Sequence, residues 1–181
     1  HQVTVITRNP AAARDRVGAE VDLVDLSDDM AVGRAIRICD GVVNLAGAAV
    51  ADKRWSSRRR RVLRESRVDL TRALVKHMAG RAPKVFISAS AIGYYGDRGN
   101  EELAEHSTRG QGFLAALCEE WEEAAAEAKR LGSRAVHLRT GVVLAEGGAL
   151  GRLLPDFRLG LGGRLGSGRQ PVPWPPITHL V

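Results

Sequence analysis

The stretch Gly41-Val42-Val43-Asn44-Leu45-Ala46, closed by Gly47, decides the fold. It is short and apolar along most of its length, as a strand covered on both faces of a sheet should be. Toward the N-terminus, Val21–Leu26 and Val3–Thr7 read as two more strands, the latter ended by the Asn9-Pro10 turn. A helix over Pro10–Val17, opened by proline and stopped by Gly18, lies between them. Another helix starts from a Ser27 N-cap, has Asp28 and Asp29 in its first turn, and runs to about Ile38. Toward the C-terminus, Ser56 or Ser57 caps a long helix reaching about Ala79. Val62, Ser66, Leu70, Ala73, Leu74 and His77 recur along it at helical period. Lys84–Ser88 is a fourth strand and Ala135–Arg139 a fifth. Between them Leu114, Leu117, Trp121, Ala124, Ala128 and Leu131 mark a helix closed by Gly132. The Gly- and Pro-rich tail from Gly160 to Pro176 reads as loop. Such alternation implies an α/β fold, a doubly wound parallel sheet with helices on both faces.

Composition narrows the function classes. A chain of 181 residues suits one domain, and 44% hydrophobic with 27% charged residues argues against disorder. No apolar run approaches the roughly 20 residues of a membrane helix, and no secretory signal is visible. Cys39 and Cys118 form no pair motif, so neither a disulfide framework nor a metal site is expected, and a reducing cytoplasm is. The net charge is +6, with Lys53, Lys76, Lys84 and Lys129 the only lysines among 27 basic residues. The densest cluster, Arg58-Arg59-Arg60-Arg61 with Arg54, Arg64 and Arg67, reads as a solvated helix face before a nucleic-acid surface. Aromatics are only 4%, and none interleave with it as a base-stacking surface requires. The opening His1-Gln2 runs straight into a strand, and the end at Val181 falls in apparent structure; residues beyond both ends are expected in the natural polypeptide.

Ligands on such sheets bind at the carboxyl ends of the strands. The first strand ends in Thr7-Arg8, where an arginine accommodates the 2′-phosphate of NADP; a solvated turn arginine explains it equally well. Asp25-Leu26 ends the second strand, and its carboxylate suits either an adenine amino group or a helix start. Leu45-Ala46-Gly47 permits close backbone approach to a ligand, or is merely a turn. The segment Ser88-Ala89-Ser90-Ala91-Ile92-Gly93-Tyr94-Tyr95-Gly96 carries two hydroxyls and two phenols, more than a turn needs.

Taken in order, several runs resemble one superfamily. They are Val43–Gly47, Lys53-Arg54-Trp55, Ser66-Arg67, Val85–Gly96, Gly112-Phe113-Leu114-Ala115 and Leu138–Leu144. Together they look like the extended short-chain dehydrogenase/reductase superfamily, and more narrowly its NAD(P)-dependent epimerase-like family, sometimes mislabelled as cell-division inhibitors. The resemblance covers nearly the whole chain and implies a Rossmann-like fold binding NADP(H), with NADP preferred over NAD. It implies a cofactor domain over residues 1–145 and the start of a substrate-side segment over 146–181. By the same resemblance Thr7 and Arg8 lie at the adenosine ribose and Asp25 and Leu26 at the adenine. Leu45, Ala46 and Gly47 would run along the cofactor, Ser88 and Ala89 flank the nicotinamide ribose, and Gly141 and Val142 pass near the nicotinamide. Ser90 aligns with the catalytic serine.

Two departures qualify these expectations. The Gly-rich turn that cradles the pyrophosphate at a helix N-terminus is not in this sequence, nor is the first strand that leads into it. The late run Gly160-Leu161-Gly162-Gly163-Arg164-Leu165-Gly166 has the wrong spacing to replace it. The superfamily's acid/base Tyr and Lys, one helical turn apart, are replaced by Phe113/Leu117 or Leu114/Cys118. Phe113-Leu114 is typical of the narrower family. Substrate-side candidates are Lys53, Arg54, Tyr94 and Tyr95, with Glu101, Glu102, Glu105 and His106 behind them. At the chain's end, Trp174 precedes prolines where the family has an Ile-His-Ile-Asp-like run. Expected partners are a small-molecule substrate and a second copy in a homodimer, not a membrane.

Overall fold

Asn9 and Asp28 begin the first two helices. The Asn9 side chain accepts from the Ala12 amide at 3.0 Å to start α1 (Pro10–Val17), which Gly18 closes. Asp28 accepts from the Ala31 amide at 2.9 Å to start α2 (Asp29–Ile38). The cap is therefore Asp28 and not Ser27, because the Ser27 amide and hydroxyl both turn back onto Asp25, at 2.8 and 2.7 Å. This computed structural model describes residues 1–145, 149–164 and 167–179. Leu165, Gly166, Leu180 and Val181 of the tail motifs lie outside them.

The long helix after β3 (Gly41–Asn44) is interrupted. Ser56 caps α3 (Ser57–Arg64), a π turn follows over Glu65–Asp69, and α4 (Leu70–Lys76) resumes. Leu63 and Val68 are both fully buried and five residues apart, the repeat of a π turn. The added residue rotates the buried seam onto Leu63, Val68, Thr71, Leu74, Val75 and Met78, leaving the expected Val62 and Ala73 exposed.

The parallel sheet lies in two parts. β1 (Thr4–Thr7) pairs with β2 (Asp22–Asp25), and β3 pairs with β4 (Val85–Ala91), which neighbours β5 (Arg134–Thr140). The orders β2-β1 and β3-β4-β5 correspond to the parts 3-2 and 4-5-6 of the doubly wound order 3-2-1-4-5-6. The fold is Rossmann-like, and neither strand one nor its Gly-rich turn is found among the described residues. The expectation that β3 is covered on both faces is corrected: Val43 is 60% exposed and Leu45, just beyond the strand, 71%. β4 runs past the expected Ser88, so Ser90 lies within the strand and not after it.

The chain divides into two compact units, His1–Ser88 with Trp121–His137 and Ala89–Glu120 with Leu138–Val181. In the first, Val32, Ile36, Leu74, Val75, Met78, Phe86, Ala125 and Ala128 form the core, with Ile6, Val24, Val42 and Ala135 packed on it. Burying such side chains contributes about 1.5–3 kcal/mol each before entropy is subtracted. Trp121 and Ala125 come from the second half of α5 (Phe113–Ala126), which runs into a tight turn over Glu127–Leu131 ended by Gly132. The second unit holds 3-10 turns over Ile92–Tyr95 and Ile177–His179, the first turns of α5, the end of β5 and α6 (Ala149–Arg158). The Pro-rich tail is not wholly irregular: the Pro173 and Pro175 carbonyls accept from the Val142 and Leu144 amides at 3.0 and 3.1 Å. Proline lacks a donor, but its carbonyl remains an acceptor. Among the described residues, no helix is long and apolar enough to cross a membrane.

Candidate functional site

In the first unit the ends of β1 and β2 lie side by side, joined by the Leu26 amide donating to the Thr7 carbonyl at 2.9 Å. Arg8, Asp25, Leu26 and Ser27 together line a cavity of about 280 Å³. Three of the expected adenosine-end residues are thus brought to one place, and Ser27 joins them. The two hydrogen bonds from Ser27 hold the Asp25 carboxyl below the usual carboxylate range. It stays an anionic acceptor at neutral pH, and Arg8 supplies a cation on the same wall. Thr7 lies apart from this cavity. It lines a neighbouring hollow of about 480 Å³ with Asn9, Ala12, Ala13, Arg16 and Val17.

The end of β3 presents mostly backbone. Leu45, Ala46 and Gly47 are exposed, while Asn44 beneath them is 4% exposed. A Cβ on Gly47 would stand 3.0 Å from the Arg67 guanidinium carbon, so that arginine lies close against the glycine backbone. Lys53 and Arg54 follow on an exposed loop. The arginine-rich helix is partly occupied internally. Arg59 donates to the Ala49 carbonyl, Arg64 pairs with Asp69 at 3.0 Å, and Arg67 lies over Trp121.

Along β4, burial alternates, and Phe86, Ser88 and Ser90 share the buried face while Ala89 is half-buried on the other. Small hydroxyl side chains leave room on that face where larger ones would fill it.

In the second unit, Thr140 at the end of β5 donates to the Ser90 carbonyl at 3.5 Å. The guanidinium of Arg139 sits 3.5 Å from the centre of the Tyr94 ring. It also donates to the Tyr95 hydroxyl and the Glu105 carbonyl, each at 3.0 Å. Tyr94 and Tyr95 meet edge to face, so both phenols are held by one arginine. Gly110 packs so closely that any Cβ would fall on the Tyr95 carbonyl. Gly141 likewise meets Pro173, whose carbonyl oxygen would be 2.5 Å from a Cβ there. At α5, Leu117 and Cys118 are buried, 3% and 5% exposed, and Leu117 carries no titratable group. Arg139 was not among the expected site residues; its signals were its place near the end of a strand and within the run Leu138–Leu144.

Residues 1–166 match the NAD dependent epimerase/dehydratase family. The chain belongs to that family. An epimerase family protein of Mycobacterium bovis is 45% identical over 148 residues, covering 81% of this chain and 49% of that protein. The crystal structure of human epimerase family protein SDR39U1 with NADPH superposes with a TM-score of 0.79 at 34% identity. It covers 98% of this chain and 58% of the human one. UDP-glucuronic acid 4-epimerase from Bacillus cereus, in complex with UDP-glucuronic acid and NAD, superposes at 0.80 with 15% identity, covering 99% and 62%, and so shares the fold. The chain spans about half to three-fifths of the length of these relatives. They place it among the extended short-chain dehydrogenases/reductases.

Proposed function

We propose that the protein binds NADP(H) in preference to NAD(H) and acts as an epimerase- or reductase-like enzyme of the extended short-chain class on a small molecule. The observation that carries the reading is the cavity shared by Arg8, Asp25, Leu26 and Ser27. Its donor set fits the adenosine end of NADP: a cation for the 2′-phosphate, an anionic acceptor for the amino group, and apolar surface for the ring. The human relative whose structure contains NADPH supports the same choice. Residues 1–145 would form the cofactor part, with Thr7 near the ribose, Leu45, Ala46 and Gly47 along the cofactor, and Ser88, Ala89, Gly141 and Val142 toward the nicotinamide. Residues 146–181 would begin the substrate side. Arg8 and Asn9, between β1 and α1, form no Gly-rich pyrophosphate cradle.

When bound, the nicotinamide supplies hydride chemistry. Ser90 would hydrogen-bond the substrate oxygen, and Tyr94, Tyr95, Lys53 and Arg54 would serve the substrate side. The replaced Tyr/Lys pair favours a second reading, a non-catalytic NADP(H)-binding redox sensor or interaction module. A panel of carbonyl substrates distinguishes them, because NADPH oxidation by the protein supports the enzyme, and tight binding with no turnover supports the sensor. The cytoplasm is the proposed compartment and a homodimer the proposed assembly, with nucleic acid not a ligand.

A pH dependence follows from the cavity. The lowered Asp25 carboxyl remains charged from pH 8 to pH 5, and its contribution is lost only as pH falls below the ordinary carboxylate range. The 2′-phosphate dianion takes up a proton near pH 6, weakening its attraction to Arg8. NADPH affinity, measured by titration at pH 8 and pH 5, is therefore expected to fall about two- to threefold, with NADH affinity unchanged.

A further inference from the structure

A buried polar network lies beneath the end of β3. Asn44 donates from Nδ2 to the Thr71 hydroxyl at 2.9 Å, and Trp121 donates from Nε1 to the same oxygen at 3.0 Å. Thr71 is fully buried, and Asn44 and Trp121 are 4% and 5% exposed. One hydroxyl oxygen thus spends both its lone pairs on donors from a strand and from a helix 50 residues away in sequence. The other end of the Asn44 amide accepts from the Ala46 backbone at 3.2 Å, which fixes the amide's orientation and ties it to the loop above.

The loop's far side is held from the same place. Ser66 accepts from the Ala48 amide at 3.0 Å and donates to the Leu63 carbonyl at 3.1 Å. Arg67 lies 5.3 Å from the Trp121 ring centre and against Gly47. Both residues belong to the π turn. Its extra residue brings Ser66 and Arg67 to the loop while Val68 and Thr71 stay on the buried face. Without that turn the helix could not serve the loop and the core in this register.

We propose that Thr71 is a positioning residue for the cofactor: through Asn44 and Trp121 it sets the backbone of residues 45–48 along which the dinucleotide runs. The inference rests on the cofactor reading above and adds a determinant that touches no ligand. Because that backbone faces a part common to both cofactors, Thr71 governs affinity for NADPH and NADH alike, unlike Arg8. An isosteric Thr71→Val leaves two buried donors unpaired and releases the loop, whereas Thr71→Ser keeps the hydroxyl.

The test uses the full-length protein. NADPH and NADH affinities are measured by titration for wild type, Thr71→Val and Thr71→Ser, alongside amide hydrogen exchange at residues 45–48 without ligand. Thr71→Val is expected to weaken both cofactors about tenfold, leave their ratio unchanged and speed exchange at Ala46 and Ala48, with Thr71→Ser restoring all three. Unchanged affinities and exchange in a folded Thr71→Val overturn the proposal while the cofactor reading stands. So does weakened binding that Thr71→Ser fails to restore. If Thr71→Val does not fold, Asn44→Asp, which replaces the donor facing Thr71 by an acceptor, must weaken both cofactors by a common factor, and an unchanged pair of affinities overturns the proposal. A wild-type protein that binds neither cofactor overturns the cofactor reading itself, and the positioning role with it.

Discussion

Arg8→Ala is expected to weaken NADPH binding about thirtyfold and to leave NADH binding within about twofold, since charge-assisted hydrogen bonds contribute about 1.5–3 kcal/mol. Arg8 is exposed at the end of β1 and shares its cavity with Asp25, Leu26 and Ser27. Of these four, only Arg8 can meet a phosphate with positive charge. Asp25, an anion near neutrality like any exposed carboxylate and held lower still by Ser27, would repel it. On the proposed reading, preference for NADPH depends on one side chain. Parallel titrations of wild type and variant with the two cofactors check this, and an equal loss for both would show that Arg8 supports the fold of the strand end and not the phosphate. Added salt should weaken the NADPH complex more than the NADH complex, because the discriminating contact lies in solvent.

Ser90→Ala is expected to lower the rate of NADPH oxidation in the presence of a reactive carbonyl by about a hundredfold or more, the usual loss when one oxyanion donor is removed. NADPH affinity should stay within about twofold if the serine addresses the substrate oxygen and not the cofactor, as proposed. Ser90 is 4% exposed and lies on the same face of β4 as Ser88, with its carbonyl engaged by Thr140. A position so fixed suits a donor that must be aimed before the reaction begins. On the reading that the superfamily's Tyr/Lys pair is replaced, a slow wild-type rate is part of the expectation. The measurement is a single-turnover assay across aldehydes and ketones. Equal rates for wild type and variant would remove Ser90 from the chemistry, and no oxidation by wild type with any carbonyl would favour the sensor.

Local signals told most of the fold. Pro10 and Gly18 bound α1 to the residue, because a ring that fixes φ and a residue free of Cβ act without help from the rest of the chain. Asp28 displaced Ser27 as the cap for a reason invisible in sequence, since Ser27 was already taken by Asp25. The π turn was equally hidden. Val62, Ser66 and Leu70 satisfy an α period as well as any seam does, and only the folded core buries Leu63, Val68 and Thr71 instead. The small residues Ser88, Ala89 and Ser90 look like the end of a strand, yet β4, paired with β3 as far as Ser88 and flanked by β5, stays extended to Ala91. At the candidate site, strand ends in this fold led to Arg8, Asp25 and Leu26, which the structure brings into one cavity. Thr71 and Trp121 were not legible, being 50 residues apart with no motif between them. Arg139 stood within the run Leu138–Leu144, but nothing in sequence paired it with the tyrosines 44 and 45 residues earlier.

Calorimetric titration of the full-length protein with NADPH and then NADH tests the central claim most directly. Saturable NADPH binding at least about tenfold tighter than NADH, as a single arginine–phosphate contact implies, is the expected result. Equal affinity for the two would contradict the role of Arg8, and binding of neither would mean that this Rossmann-like chain holds no nicotinamide cofactor at all.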